Sequence, residues 1–105
     1  MATVIQGKQQ LPGVFNEMWL VTETVDFANA ATGSGTFASV DVTVPNVALG
    51  DIVTGVSMGV DTVDGVVAGA VTAADTVTLT LLNNSAGAIN LASTTCKFIV
   101  GRPVW

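Results

Sequence analysis

Charge is what this sequence has least of. Only 10% of its 105 residues are Asp, Glu, Lys or Arg, against about 25% in an average soluble domain. The three basic residues are Lys8, Lys97 and Arg102, and eight acids bring the net charge to −5. Phosphate backbones are held by clustered Lys and Arg. Three scattered cations make no such stripe, which excludes nucleic acid and disfavours an anionic membrane as partners. Histidine is absent. With it go the commonest general base and metal ligand and any Ser–His–Asp or Cys–His pairing within one chain. Tyrosine is absent too, and the single cysteine, Cys96, rules out an intrachain disulfide framework. No apolar run approaches the roughly 18 residues of a membrane helix. Residues 1–17 are broken by Gln, Lys8, Pro12 and Gly13 and do not read as a secretory signal, so synthesis in a cytoplasm is expected.

Apolar residues, in contrast, make up half of the chain. The length suits one domain, and a domain this small leaves a large share of its surface exposed. The apolar excess therefore asks for a cover, either copies of the same chain or a larger assembly. The modest negative charge suits solubility.

Two zones differ in character. Residues 1–17 hold no sustained period of 2 or 3.6 and are expected to form an extended arm lying along a neighbour, with Leu11, Val14 and Phe15 as its apolar contacts. From Met18 to Trp105, Val, Thr and Ile recur between Gly, Asn and Asp, the signature of strands and turns. Strands are expected near 18–27, 35–44, 51–60, 66–73, 76–82 and 94–101. Ala38, Val40, Val42 and Val44 alternate with Phe37, Ser39, Asp41 and Thr43. Val77, Leu79 and Leu81 alternate with Thr76, Thr78 and Thr80. Half-buried strands of this kind build antiparallel sheets. Residues 52–60 and 66–73 are apolar or small on both faces. Ile52, Thr54, Val56, Met58 and Val60 are expected on one face of the first, with Val53, Gly55, Ser57 and Gly59 on the other. In the second, Val66, Ala68 and Ala70 oppose Val67, Gly69 and Val71. Small residues let another surface approach closely, so subunit packing is expected there. Asn46 and Gly50 are expected to bracket one helical turn; Asp64-Gly65 and Ala73-Ala74-Asp75 read as turns, and 83–88 as a longer loop. The fold class is all-β, an antiparallel β-sandwich or jelly-roll-like barrel with an extended N-terminal arm.

Few residues carry reactive chemistry. Cys96 lies in a strand-like run beside Lys97, which alternation places on the opposite face, so Cys96 reads as a small buried hydrophobe. Gly33-Ser34-Gly35 lacks the strand-to-helix setting of a phosphate loop and reads as a flexible turn. Asp61 and Asp64, with Asp51 or Asp75, are close enough in sequence to suggest a carboxylate pair or a calcium site. Each adjoins a turn, where Asp commonly bonds backbone amides, and the ordered calcium-loop spacing is missing. No catalytic residue, metal or cofactor is expected. Trp19 reads as core. Trp105 reads equally as a lid on its own sheet or an anchor in a neighbouring chain. The Thr-rich stretches read as a solvated face made without charge.

Residues 45–100 resemble a run found in small structural proteins of tailed bacteriophages. The resemblance is carried by Leu49-Gly50-Asp51, by Ala73-Ala74-Asp75-Thr76-Val77-Thr78-Leu79, and by Asn83-Asn84-Ser85-Ala86-Gly87-Ala88-Ile89-Asn90-Leu91-Ala92-Ser93. It covers about half of the chain and none of residues 1–44. It implies a β-rich virion protein, most often a homotrimer, and within that group a capsid decoration (cement) protein on the outer capsid surface. Such proteins sit at three-fold and quasi-three-fold positions and clamp neighbouring major capsid protein subunits against internal DNA pressure. Similar modules occur in head fibres and tail fibres, which leaves an adhesion or glycan-binding module as the alternative. The expected interface residues are Leu11, Val14, Phe15, Val53, Gly55, Gly59, Val67, Gly69, Val71 and Trp105.

Overall fold

The structure, a computed structural model, describes residues 3–11, 14–27, 36–62, 65–83 and 89–105. Seven strands form in order: β1 (Thr3–Leu11), β2 (Phe15–Val25), β3 (Thr36–Thr43), β4 (Ile52–Met58), β5 (Gly65–Ala73), β6 (Thr76–Asn83) and β7 (Thr94–Pro103). Every pairing is antiparallel. Sheet 1 has the order β1-β2-β7-β4 and sheet 2 the order β3-β6-β5, so the fold is a two-sheet sandwich rather than a closed barrel.

The interior follows from alternation. Trp19, Val21 and Val25 of β2 and Cys96, Phe98 and Val100 of β7 are buried from sheet 1. Ala38 and Val42 of β3 and Val77, Leu79 and Leu81 of β6 meet them from sheet 2. Phe27, Val44, Val47, Ile89 and Leu91 close the ends. Each fully buried aliphatic side chain contributes about 1.5–3 kcal/mol of burial free energy. The row of inward Val and Leu on β6, the middle strand of its sheet, thus anchors sheet 2 to sheet 1.

Three expectations are corrected. The first concerns residues 1–17. Residues 3–11 are extended, but they are paired along their length with β2 of the same chain, Val4 opposite Val21 and Gln6 opposite Trp19. The expected boundary at 17/18 falls inside β2. Val4 packs against the core, and alternation over Thr3–Gln6 was masked by the Gly7-Lys8-Gln9-Gln10 stretch that follows.

The second concerns β4. Its register against β7 slips between Thr54 and Ser57, where Gly55 adopts φ +66°. A one-residue bulge flips which side chains face inward. Val53 therefore packs on the core before the bulge, and Val56, Met58 and Val60 after it, while Ile52 and Thr54 point outward.

The third is the connection 44–51, which forms two successive turns instead of a helical turn. Val47 N donates to Val44 O and Asp51 N to Ala48 O, with Asn46 at φ 77° and Gly50 at φ 99°. Pro45-Asn46 and Leu49-Gly50 each supply the second and third residues of a turn that needs a positive φ third.

Candidate interaction surface

The antiparallel registers set the outward residues of sheet 1 in rows that cross all four strands. The middle row is Ile5–Leu20–Ile99–Thr54. On one side lies Thr3–Thr22–Lys97–Ser57, and on the other Gly7–Met18–Gly101–Ile52. Ile5 is 61% exposed and Leu20 45%. A shallow depression lies along this face, lined by Ile5, Leu20, Gly55 and Ile99 among others. Directly opposed aliphatic side chains support one another across a sheet. Ile5 and Leu20 are left open on their outer sides among the described residues, while Ile99 is half-buried and Met18 is buried.

Gly101 leaves room for an aromatic ring. A Cβ at that position would come within 2.7 Å of Phe15 ring atoms, so the ring lies flat on the glycine. Trp105 stacks on Phe15, ring centroids 6.4 Å apart and 25° between planes, yet remains 76% exposed. Val104 N donates to Val14 O at 3.1 Å and fixes this corner. The structure thus brings Val14, Phe15 and Trp105 together at one end of the sheet 1 face. Leu11 pairs with Phe15 at the end of β1.

The other expected interface residues are not brought there as a group. Val53, Val67 and Val71 pack against the molecule's own core. A Cβ on Gly69 would lie 2.9 Å from Leu79 Cδ2 and 3.0 Å from Val53 Cγ1. The close approach that glycine permits is therefore between the chain's own sheets, at the seam where β5 runs beside β4. Gly59 N donates to Thr95 O, and a Cβ there would clash with Thr94 Oγ1. Gly55 alone among the expected interface residues Val53, Gly55, Gly59, Val67, Gly69 and Val71 lines the outer depression. Sequence reasoning missed Ile5, Leu20, Ile99 and Ile52. The test applied to 52–60 and 66–73, apolar residues on both faces of one strand, also singles out Trp19/Leu20/Val21 and Phe98/Ile99/Val100.

Sheet 2 presents a different outer face. Its rows are Phe37–Leu82–Val66, then Ser39–Thr80–Ala68, then Asp41–Thr78–Ala70. Apolar side chains larger than alanine are confined to the first row, where Phe37 is 65% exposed. Thr78 Oγ1 donates to Asp41 Oδ1 at 2.7 Å and lies 2.8 Å from Thr72 Oγ1.

Charge is gathered at the end of the sandwich that holds the 44–51 turns. Arg102 makes a two-pronged contact with Asp51, Nε to Oδ1 at 3.1 Å and Nη2 to Oδ2 at 2.9 Å. It also donates to Asn46 O and lies over the Trp19 ring at 5.1 Å. The hydrogen bond to Asp51 pushes the Arg102 pKa further up, against a smaller opposing effect of burial. Asp51 also accepts from Ala48 N, and Asp75 accepts from Asn46 N and donates its own N–H to Val47 O. Trp19 Nε1 donates to Pro45 O at 3.0 Å. These bonds tie the two turns to both sheets, so Asp51 and Asp75 anchor backbone as turn carboxylates do.

Asp64 and Gly33–Gly35 lie outside the described residues. Among the described residues no three His, Cys, Asp or Glu side chains are grouped to hold a metal. Cys96 is buried, and desolvation raises its pKa, so the thiol stays neutral at physiological pH. Among the described residues no helix is long and apolar enough to cross a membrane. Comparison with protein-family models, with curated proteins and with solved structures finds no match to the chain.

Proposed function

We propose that this chain is a non-enzymatic virion subunit, a capsid decoration protein that acts as a homotrimer and clamps neighbouring major capsid subunits. The observation that carries the reading is the outer face of sheet 1, where an apolar row, Ile5–Leu20–Ile99, crosses three of the four strands with Lys97 as the one charged residue in the three rows. Exposed contiguous apolar surface on a small domain marks an interaction site. The best-developed polar cluster is consumed in holding turns, with Arg102 and Asp51 satisfying each other, which favours a mechanical part over a reactive one. The resemblance of residues 45–100 to small phage structural proteins supplies the kind of assembly. A trimer docked on several capsid subunits gains from multivalency, because weak single contacts hold collectively.

The test is to add purified protein to phage heads assembled without it. Saturable uptake over the whole shell, with heads that survive heating better, is the expected result. A few copies on appendages would favour the fibre module instead, and no uptake at all would overturn the capsid role.

A further inference from the structure

We infer that the outer face of sheet 1 is the self-association surface: three copies turn this face toward a common axis, and sheet 2 looks outward. The inference rests on the trimeric reading above and specifies its geometry.

Charge placement picks the face. Two chains that each carry −5 repel wherever their carboxylates meet, and like charges facing each other across an interface are strongly disfavoured. Sheet 2 carries Asp41 in one of its outward rows. Asp51 and Asp75 occupy the end that holds the turns. The three outward rows of sheet 1 hold no carboxylate. This is the side on which copies of an acidic chain can approach, and Lys97 stands in a flanking row, where its stem can carry the ammonium to water.

Sheet width accommodates three copies. Four strands about 4.8 Å apart give a face about 19 Å wide, and three such faces closed into a triangle lie about 5.5 Å from the axis. That is close to half the ~10 Å spacing of two packed sheets, so one layer of Ile and Leu side chains from each copy fills the interior. Over a strand length of about 25 Å the three faces together remove on the order of 1,400 Å² of flat area from water. Shared among the three pairwise interfaces this is about 475 Å² each, below the roughly 1,200–2,000 Å² of a standard-sized interface, so the three contacts hold only when they close together.

The test compares Leu20→Asp with Thr80→Asp by light scattering after gel filtration, with circular dichroism to confirm folding. Wild type and Thr80→Asp are expected at trimer mass and Leu20→Asp at monomer mass. A Leu20→Asp variant that stays trimeric while Thr80→Asp dissociates overturns the face assignment and leaves the trimer standing. A wild type that is monomeric or dimeric at millimolar concentration overturns both. Leu20→Cys provides a readout that needs no disruption. The sulfurs introduced near the axis by neighbouring copies lie within reach of a bismaleimide spanning about 10 Å, while buried Cys96 stays unmodified. Cross-linked dimer bands are expected from Leu20→Cys and none from Thr80→Cys; the reverse pattern rejects the axis assignment.

Discussion

Across sheet 1 the middle outward row reads Ile5–Leu20–Ile99–Thr54, whereas the middle of sheet 2 reads Ser39–Thr80–Ala68. Both rows sit on strands whose opposite sides fill the same core. Both are set by antiparallel pairing, so the difference lies in the side chains. Sheet 2 reaches a wettable surface with hydroxyls that bond one another and one carboxylate, which needs little charge. Sheet 1 makes such provision only in its flanking row Thr3–Thr22–Lys97–Ser57. Three of the four positions in its middle row carry the branched aliphatics that a buried sheet carries on both faces. Low charge by itself therefore does not mark an interface. Both faces are nearly uncharged, but sheet 2 is apolar only along its Phe37–Leu82–Val66 row. Sheet 1 is apolar through its middle row and on to the Phe15–Trp105 corner, and this wider apolar field is the one with the greater need of a cover.

The contrast depends on a shared core, and the largest predicted effect tests that. Trp19→Ala removes a fully buried ring, its hydrogen bond to Pro45 O and the surface on which Arg102 rests. A loss of about 3–5 kcal/mol is expected from the denaturant midpoint. Leu20→Ala, one residue along and outward, should cost well under half of that in the dissociated chain. Equal losses would mean that Leu20 is core and the two faces are misassigned. Next in size is Gly69→Ala, whose methyl would press on Leu79 and Val53. A loss of about 1–3 kcal/mol is expected, with self-association unchanged because the strain lies inside one chain. Loss of oligomer mass at unchanged thermal stability would return Gly69 to the subunit interface that the sequence suggested.

Strand positions were legible because the alternation in Phe37–Val44 and Thr76–Leu81 is a local pattern, and six of the seven strands lie within three residues of their expected ends. Faces were harder. The phase of β4 turns on a bulge at Gly55, a slip that no period of 2 reveals, so a strict alternation puts Val53 on the wrong side. Gly69 marks a close approach, but sequence cannot say whose surface approaches. β1 escaped notice because its place is set by pairing with β2 rather than by its own composition. The sheet 1 face was invisible for a related reason. Ile5, Leu20 and Ile99 lie far apart in the chain, and only register places them side by side.

Cys96 tests the buried side of the same sheet through pH. Burial raises the thiol pKa above its ordinary value near 9. The unfolded chain therefore releases this proton at a lower pH than the folded one. The associated stability is fully present below pH 9 and falls as pH rises above it, by at most about 1.4 kcal/mol per pH unit for one proton. Chemical denaturation between about pH 8 and 10.5 should show this decline in wild type and a shallower one in Cys96→Ala. Parallel slopes would place the thiol in contact with water and weaken the account of the inner side of sheet 1 as core.

The smallest expected effect concerns sheet 2. Thr78→Val keeps the shape of the side chain but removes its bond to Asp41 and its contact with Thr72. These groups are exposed, so water replaces the lost partner and the change should cost about 0.5–1.5 kcal/mol. The larger consequence is for the surface. The swap puts a branched aliphatic beside Ala70 and Asp41, one step toward the composition of sheet 1. Ser39→Val and Thr80→Val together with it would give sheet 2 an apolar field of its own, interrupted by Asp41. If outward apolar rows drive association, the triple variant should form species larger than wild type, and adding Asp41→Asn should enlarge them further. Should the triple variant keep the wild-type mass at every concentration, apolar composition is insufficient, and the fit of three four-stranded faces around an axis becomes the deciding property.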